Sequence, residues 1–417
     1  MIQPTLPALL AALLCLPVGA HAEEMQGLPP AIQVAHALDQ NLRVLEAKNN
    51  LQAELANQEI RDSGSHEFNL RAGSAQRRVP ATGQQLKEWD VALERPFRLP
   101  NKIAIDRDIG AENVSAARAG VGDARHEASR TLLQLWFDLL RAHAQTGVWS
   151  QQHLNLTRQR DIVEKRYRAG DAPKIELNQA EAVAAQAAMV RTQQQLNEQL
   201  IAASLKASFP QIGTETLPET GTPQPINGNA AEWRQRILAD NHELEMVQAQ
   251  ARAQQLLASR SRADRLADPT LGIRHSNEMG GAEKVTGVYV SLPFSFGQRG
   301  ALATVASQQA EAAQARAAFV QRRLDSDIES AWLRAGSTFQ RWEQARLASQ
   351  IAVHNAELTR KAYQLGELGL TDTLNAGRLA MDAQLAEQLA RLDANEARYR
   401  LLLDAHELWQ NAHEDTP

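Results

Sequence analysis

Hydrophobic side chains recur along this chain at two spacings, one helical and one alternating. Near the start, apolar residues from Ile32 to Leu55 fall at helical spacing and predict one amphipathic helix. Two much longer stretches, about 101–168 and 299–365, contain no proline and predict helices of about 100 Å each. Each stretch ends in a Tyr-x-x-Gly turn that a returning helix follows. Because globular cores do not need such lengths, the chain is predicted to be an elongated helical bundle or tube.

Alternation of apolar and polar residues predicts strands at residues 87–97 and 285–294, with weaker partners near 68–72 and 270–274. One face of the two stronger strands is apolar and consists of Trp89, Val91, Leu93, Val288, Val290 and Leu292. A soluble half-buried sheet and a transmembrane barrel both show this alternation. One chain supplies four strands, whereas the smallest membrane barrels need about eight. If these strands face lipid, several chains must therefore share one barrel, because an open sheet edge in lipid is forbidden.

The same order of predicted elements occurs twice. Arg95-Pro96-Phe97-Arg98-Leu99 ends one alternating segment, and Leu292-Pro293-Phe294-Ser295-Phe296 ends the other about 197 positions later. The Tyr-x-x-Gly turns share nearly the same offset. We therefore predict two structural repeats, residues 28–208 and 229–413, each with a helix, two strands, a long helix, a turn and a returning helix. Residues 209–228, rich in proline and glycine, are predicted to be an irregular linker.

The first residues have the pattern of a secretory signal. An apolar run over residues 6–18 precedes Ala20-His21-Ala22, a small-x-small triplet typical of a cleavage site. We expect residues 1–22 to be a signal peptide, because the run is too short to span a bilayer. The only cysteine, Cys15, lies in this segment and follows Leu14, whereas lipidation needs a small residue there. The mature chain is expected to be exported, unlipidated and free of disulfides.

Composition and motifs narrow the function further. The net charge of -5 and a pI near 6.2 give no indication of nucleic-acid binding. No nucleophile elbow, metalloprotease helix or phosphate loop occurs, so we expect no enzymatic activity and no cofactor. The histidines show no close ligand spacing: His126, His143 and His153 share one predicted helix but lie 17 and 10 positions apart. No metal site is expected, and the histidines are predicted to lie scattered on surfaces or on a tunnel wall.

Together these residues resemble the TolC family of outer-membrane efflux proteins over nearly the whole mature chain. The resemblance rests on the repeat and on two strand-to-helix junctions, which span residues 93–102 and 290–299. It also rests on the helix tips Lys165-Arg166-Tyr167-Arg168-Ala169-Gly170 and Lys361-Ala362-Tyr363-Gln364-Leu365-Gly366. The resemblance implies a mainly α fold with a small β portion: three chains form a twelve-stranded barrel in the outer membrane, continued by a helical tunnel across the periplasm.

Within that family the chain is most similar to the CzcC branch, in its size, its missing lipidation cysteine and a first junction that ends in Lys102. This resemblance implies a homotrimer in outer-membrane lipid. The trimer would export heavy-metal cations with a periplasmic adaptor (a membrane fusion protein) and an inner-membrane pump of the resistance-nodulation-division (RND) type. The same channel could instead serve a multidrug pump or a type I secretion system. A soluble periplasmic coiled-coil scaffold is the third alternative, since long helices fit it equally.

The predicted turns would lie at the inner end of the tunnel, where the adaptor and pump dock. Tyr167 and Tyr363 are candidate adaptor contacts, and Gly170 and Gly366 are expected to permit a left-handed turn. Three nearby acids are candidates for a gate or a cation ring: Glu176, Glu367 and Asp372. The alternative for these acids is a structural role, because helix N-termini favour negative charge.

Overall fold

The computed structural model describes residues 26–64, 66–294 and 297–409, which contain eight α-helices and one four-stranded sheet. The first half contains α1 (Ala31–Asp39), α2 (Leu42–Ser63), β1 (Asn69–Arg78), β2 (Gln85–Pro96), α3 (Pro100–Arg168) and α4 (Lys174–Ser208). The second half contains α5 (Ala230–Ala239), α6 (His242–Ala263), β3 (Thr270–Glu278), a 3-10 turn (Met279–Gly281), β4 (Glu283–Ser291), α7 (Gln298–Gln364) and α8 (Leu370–Asp404). The predicted signal peptide, Cys15, Ser295, Phe296 and the end of the predicted second repeat lie outside the described residues.

The prediction of one helix from Ile32 to Leu55 is wrong, because the chain breaks between α1 and α2. Asn41 has an extended backbone, and its side chain accepts a hydrogen bond of 3.0 Å from the amide of Arg43. It therefore caps the N-terminus of α2. Asn241 caps α6 in the same way and separates it from α5. An asparagine side chain competes locally for backbone hydrogen bonds, so apolar spacing alone did not reveal the break.

The long helices have the predicted bounds to within one residue. Helix α3 contains 69 residues and α7 contains 67. Pro100 fits the first position of α3, where an amide hydrogen would have no helical acceptor. The glycines that follow both helices, Gly170 and Gly366, have φ of 83° and 80° and so reverse the chain in the left-handed region. No helix among the described residues has the length and apolar character required to cross a membrane.

The four strands form one antiparallel sheet in the order β1-β2-β3-β4. Its centre joins the two halves of the chain, because β2 pairs with β3 and places Leu93 opposite Ile273. Strand β4 ends at Ser291, so the predicted strand over 285–294 is too long at its end. Pro293 has no amide hydrogen to continue the ladder. The hairpin connections are short and span residues 79–84 and 279–282.

The largest apolar core lies where α1, α3, α4 and α8 meet. Trp136 and Phe137 of α3 are at most 2% exposed there. The indole of Trp136 donates a hydrogen bond of 2.7 Å to the carbonyl of Gly27. Phe209 and Ile212, at the start of the predicted linker, are also buried in this cluster, and residues 209–228 contain no helix or strand. The irregular segment is thus anchored to the helices at its first residues.

Candidate functional site

Most of the large apolar side chains of the sheet lie on one face, and they are exposed. The strand register places five of the predicted lipid-facing side chains on this face: Trp89, Val91, Leu93, Val288 and Val290. Their exposed fractions range from 37% for Val91 to 82% for Val288. Leu292, the sixth predicted residue, lies just beyond β4 and is 49% exposed. In the row through Leu93 all four strands contribute an exposed apolar side chain: Leu70, Leu93, Ile273 and Val288. Isolated apolar residues on a surface are ordinary, but such a row is not.

The opposite face is polar and more enclosed. On this face of β2, Ala92 is fully buried, and the side chain of Asp90 is 28% exposed and lies 3.6 Å from Arg274. The Tyr289 hydroxyl donates a hydrogen bond of 2.5 Å to the Glu94 carboxylate. A soluble sheet buries its apolar face and exposes its polar one. This sheet does the reverse, as a surface between lipid and a water-filled interior would.

Both edges of the sheet are unpaired in the single chain. Within the described residues, β1 pairs only with β2, and β4 pairs only with β3. An open edge presents a row of unpaired N–H and C=O groups. The pairing of β2 with β3 would be repeated if β4 met the β1 strand of another copy.

A buried ion-pair cluster joins the sheet to the helices. Lys102, in the first turn of α3, is fully buried. Its ammonium group lies 2.9 Å from Asp268 and 3.0 Å from Asp264, and it donates a hydrogen bond of 2.7 Å to the Leu266 carbonyl. Burial opposes ionisation of Asp268, but the hydrogen bonds from Lys102 and from the Leu99 amide outweigh burial and lower the pKa of this carboxyl.

The same cluster links α2, α3 and α6. Arg98 lies 2.9 Å from Asp106 and donates to the carbonyl of Arg61 at the end of α2. Arg260 of α6 lies 2.7 Å from the other oxygen of Asp106. In the sequence Lys102 is notable only as part of a junction, and no neighbouring residue predicts its burial. The cluster therefore ties the start of α3 to the ends of α2 and α6.

The two helix tips contact each other within one chain. The Arg166 guanidinium donates a hydrogen bond of 2.6 Å to the Tyr363 hydroxyl and lies over the Tyr363 ring. Tyr363 also packs against an apolar cluster of Val163, Leu177, Ala180 and Leu370. Tyr167 is 37% exposed and lies near Lys174. The two tyrosines therefore have different surroundings, although their motifs match.

The three candidate gate acids have different surroundings. The Asp372 carboxylate accepts a hydrogen bond of 3.3 Å from the Gly369 amide, so it caps the start of α8. Glu176 lies in the first turn of α4 and is partly buried, and Glu367 is exposed in the tip turn. A structural role therefore accounts for Asp372, and the described contacts assign no gating role to any of the three.

Three histidines from distant parts of the chain lie close together, at α3, the start of α6 and the end of α8. The ring centroid of His406, just after α8, lies 5.1 Å from that of His126 in α3 and 5.0 Å from that of His242 in α6. The His242 ring lies so close to Gly122 of α3 that a side chain at position 122 would clash with it. Burial lowers the pKa of all three imidazoles. The prediction of scattered histidines is wrong for this group.

Charged side chains surround the histidines. The His126 ring nitrogen Nε2 lies 3.3 Å from the Asp404 carboxylate, which also lies 2.9 Å from Arg130 and 3.2 Å from Arg400. Burial opposes ionisation of Asp404, but the hydrogen bond from His126 and the two guanidinium charges lower its pKa to about 2. In the described chain, no group of three or more potential ligands is arranged to hold a metal ion.

The chain is similar to known proteins in its structure. No protein-family model matches the sequence, and no curated protein matches it. The solved structure of the Campylobacter jejuni outer membrane channel CmeC is 16% identical, with a TM-score of 0.77 over 92% of this chain and 86% of that chain. The solved structure of CusC is 14% identical, with a TM-score of 0.76 over 90% of this chain and 91% of that chain. The outer membrane protein VceC of Vibrio cholerae is 17% identical, with a TM-score of 0.75 over 91% of this chain and 99% of that chain.

These likenesses extend over nearly the whole of each chain. At such low identities they bear on the arrangement of helices and strands. They agree with the predicted fold class, a mainly helical chain with a small β portion of four strands. The chain therefore has the TolC-like fold, the fold of the outer-membrane channels that it resembles.

Proposed function

We propose that this chain is the outer-membrane subunit of a tripartite efflux channel, with its helices in the periplasm, and that it catalyses no reaction. The main support for this proposal is the orientation of the sheet: its large apolar side chains lie on the exposed face, and the more enclosed face is polar. In water the exposed valines and leucines would cost about 25 cal/mol for each Å² of apolar surface. In a bilayer that cost disappears. A soluble periplasmic scaffold would have the sheet the other way round.

The proposed subunit assembles as a homotrimer. Helix α3 packs against α2, α4, α6 and α8, whereas α7 packs substantially only on α5, α6 and α8 among the described elements. If the two halves play equivalent roles, α7 corresponds to α3, α2 to α6 and α4 to α8. Within one chain, however, α7 makes no substantial contact with α2 or α4. Helices α2 and α4 of a second copy would supply these contacts. The same step would pair β4 with the next β1, so helices and sheet require one head-to-tail interface that can close a ring.

Exposed apolar side chains mark the surfaces that this interface would cover. On α7, Phe319 and Ile351 are 67% and 62% exposed, and on α4, Met189 and Leu200 are 67% and 61% exposed. Three copies with four strands each would close a barrel of twelve strands, a number within the range that natural barrels use. Closure leaves no strand edge facing lipid.

The helix tips would form the inner end of the tunnel and would dock the periplasmic adaptor. Exposed apolar residues support this role: Leu365 is 74% exposed in the turn after α7, and Ile175 is 65% exposed at the start of α4. Gly170 and Gly366 set the turns, and Tyr167 is the more accessible of the two tyrosines. Glu176, Glu367 and Asp372 are the acids that we propose for a gate at this end, and Asp372 also caps its own helix.

For the cargo we propose heavy-metal cations, exported with an RND-type inner-membrane pump. Support comes from the CzcC-like features of the sequence, among them the junction that ends in Lys102. A polar lining without a dehydrating site would pass hydrated ions. A strain that lacks the gene is expected to become sensitive to zinc, cobalt or cadmium. Unchanged metal tolerance with new sensitivity to drugs would favour a multidrug pump, and loss of a secreted protein would favour a type I secretion system.

The sheet orientation can be tested with two aspartate substitutions on opposite faces of β4. Val288→Asp places a charge on the exposed apolar face, level with Leu93 and Ile273, at an expected cost of about 1–2 kcal/mol in the bilayer. Gly287→Asp is the matched control, because residue 287 lies on the polar face and has open space around it. Membrane fractionation and native gel electrophoresis are expected to show loss of trimers for the first variant only. Normal trimers of Val288→Asp, or wild-type protein in the aqueous periplasm without detergent, would contradict the proposal.

A further inference from the structure

We propose that Arg95 and the groove beside it bind one anionic glycerophospholipid per subunit, with the phosphate on Arg95 and an acyl chain in the groove. The inference rests on the proposed orientation of the sheet in the outer membrane. The groove has a volume of about 450 Å³ and lies at the helix-side end of the apolar face. Its apolar lining includes Phe68, Leu93, Phe97, Leu271, Ile273 and Val290.

Arg95 interrupts the apolar face with a positive charge. Alternation along β2 continues from Trp89, Val91 and Leu93 to Arg95, and the register places Arg95 opposite Leu271 on the same face. It is the last outward-facing residue before Pro96 ends the strand. A cation at this level of a membrane protein lies where apolar core gives way to headgroups.

The guanidinium is held in place but has no anionic partner. Its Nε donates a hydrogen bond of 3.0 Å to the His66 carbonyl, and its carbon lies 4.8 Å from the centroid of the Phe68 ring. No carboxylate among the described residues forms an ion pair with Arg95. Three other arginines of the sheet and its junction, by contrast, each contact a carboxylate within 4 Å: Arg77, Arg98 and Arg274.

An oriented guanidinium without a counter-ion favours a phosphate. The terminal N–H groups of arginine match the oxygens of a phosphodiester, and such charge-assisted hydrogen bonds are stronger than neutral ones. A phosphate at Arg95 would direct the acyl chain away from the helices, along the groove past Leu93 and Val290. Phe68 and Phe97, which are 64% and 46% exposed, flank the headgroup level. A lipid satisfies both parts of the site, whereas free phosphate would satisfy only the charge.

Native mass spectrometry of the trimer in detergent, titrated with phosphatidylglycerol or phosphatidylcholine, tests the site. Wild-type protein is expected to bind phosphatidylglycerol at least tenfold more tightly, with saturation at one lipid per subunit. Arg95→Gln is expected to lose about tenfold of that affinity, since a hydrogen bond to a charged group contributes about this factor. Arg77→Gln is the matched control: it removes an equal charge from β1, and its binding is expected to stay unchanged.

Several results would overturn the inference while leaving the proposed channel intact. These are equal affinity for the two lipids, unchanged binding by Arg95→Gln, or an equal loss in Arg77→Gln, all with normal wild-type trimers. Failure of wild-type protein to form trimers would instead contradict the proposed function. If Arg95→Gln does not assemble, salt provides the second test on wild-type protein. Phosphatidylglycerol binding must weaken as ionic strength rises, because screening reduces an exposed charge pair, and salt-independent binding refutes the site.

Discussion

Removal of the buried ammonium group at the junction of sheet and helices should have a large local effect. Lys102→Met keeps the length of the side chain but removes its charge. Asp268, whose side chain is 18% exposed, would lose its contact at 2.9 Å, and the Leu266 carbonyl would lose its donor at 2.7 Å. Breaking a buried ion pair by removing one partner costs about 3–5 kcal/mol. We expect the lower end, about 3 kcal/mol, because Asp264 has a side chain 44% exposed and still contacts Arg260.

Native-state hydrogen exchange, read by mass spectrometry on peptides, measures this cost where it arises. Exchange in the first turns of α3 should accelerate roughly a hundredfold, since each 1.4 kcal/mol of opening free energy is about a factor of ten. Exchange around Val163, near the far end of α3, should stay unchanged. The control variant Lys48→Met removes an exposed lysine that lies 3.6 Å from Asp39, and an effect below about 1 kcal/mol is expected.

A second variant separates the buried charge from simple packing. Lys102→Met combined with Asp268→Leu removes both members of the pair, and apolar replacement of a buried pair is often neutral. The double variant should therefore exchange more slowly at the start of α3 than Lys102→Met alone. A loss below about 1 kcal/mol in the single variant, or a double variant that is worse than the single one, would refute the reasoning.

Three further predictions concern the histidines and the tips. Burial lowers the pKa of His126, His242 and His406, so the folded state binds fewer protons than the unfolded state below pH 6.5. Thermal stability should therefore fall as the pH is lowered below about 6.5, and a flat profile between pH 7.5 and 5.5 would contradict this. Tyr363→Phe removes the hydroxyl that accepts the hydrogen bond from Arg166. The opening free energy of the tips should therefore fall by about 1 kcal/mol and their hydrogen exchange should accelerate; equal rates would show that the bond contributes nothing. Gly366→Ala should destabilise the turn by about 1–2 kcal/mol because its φ is 80°, and unchanged tip exchange would argue against that conformation.

Periodic features were predictable from the sequence, and contacts between distant residues were not. The bounds of α3 and α7 followed from the long stretches without proline and from the Tyr-x-x-Gly turns after them. The apolar face of β2 followed from alternation at Trp89, Val91 and Leu93. These signals lie within a few residues of one another, so one sequence suffices to detect them.

The buried clusters gave no such signal. His126, His242 and His406 come from three separate elements, and only the fold brings them together. The burial of Lys102 likewise depends on acids from the second half of the chain, more than 160 positions away. The break before α2 was missed for a different reason: Asn41 ends one helix and starts another without disturbing the apolar spacing.

The unpaired strands β1 and β4 make every subunit both a donor and an acceptor in the proposed ring. A subunit in which only one edge is blocked could still join a neighbour through the other edge. It would then occupy a place in the ring and prevent its closure. Such a variant, expressed together with the normal protein, would inactivate the complexes that it joins instead of being left out of them. Defects at either edge are therefore expected to be genetically dominant, whereas defects that unfold the chain are expected to be recessive.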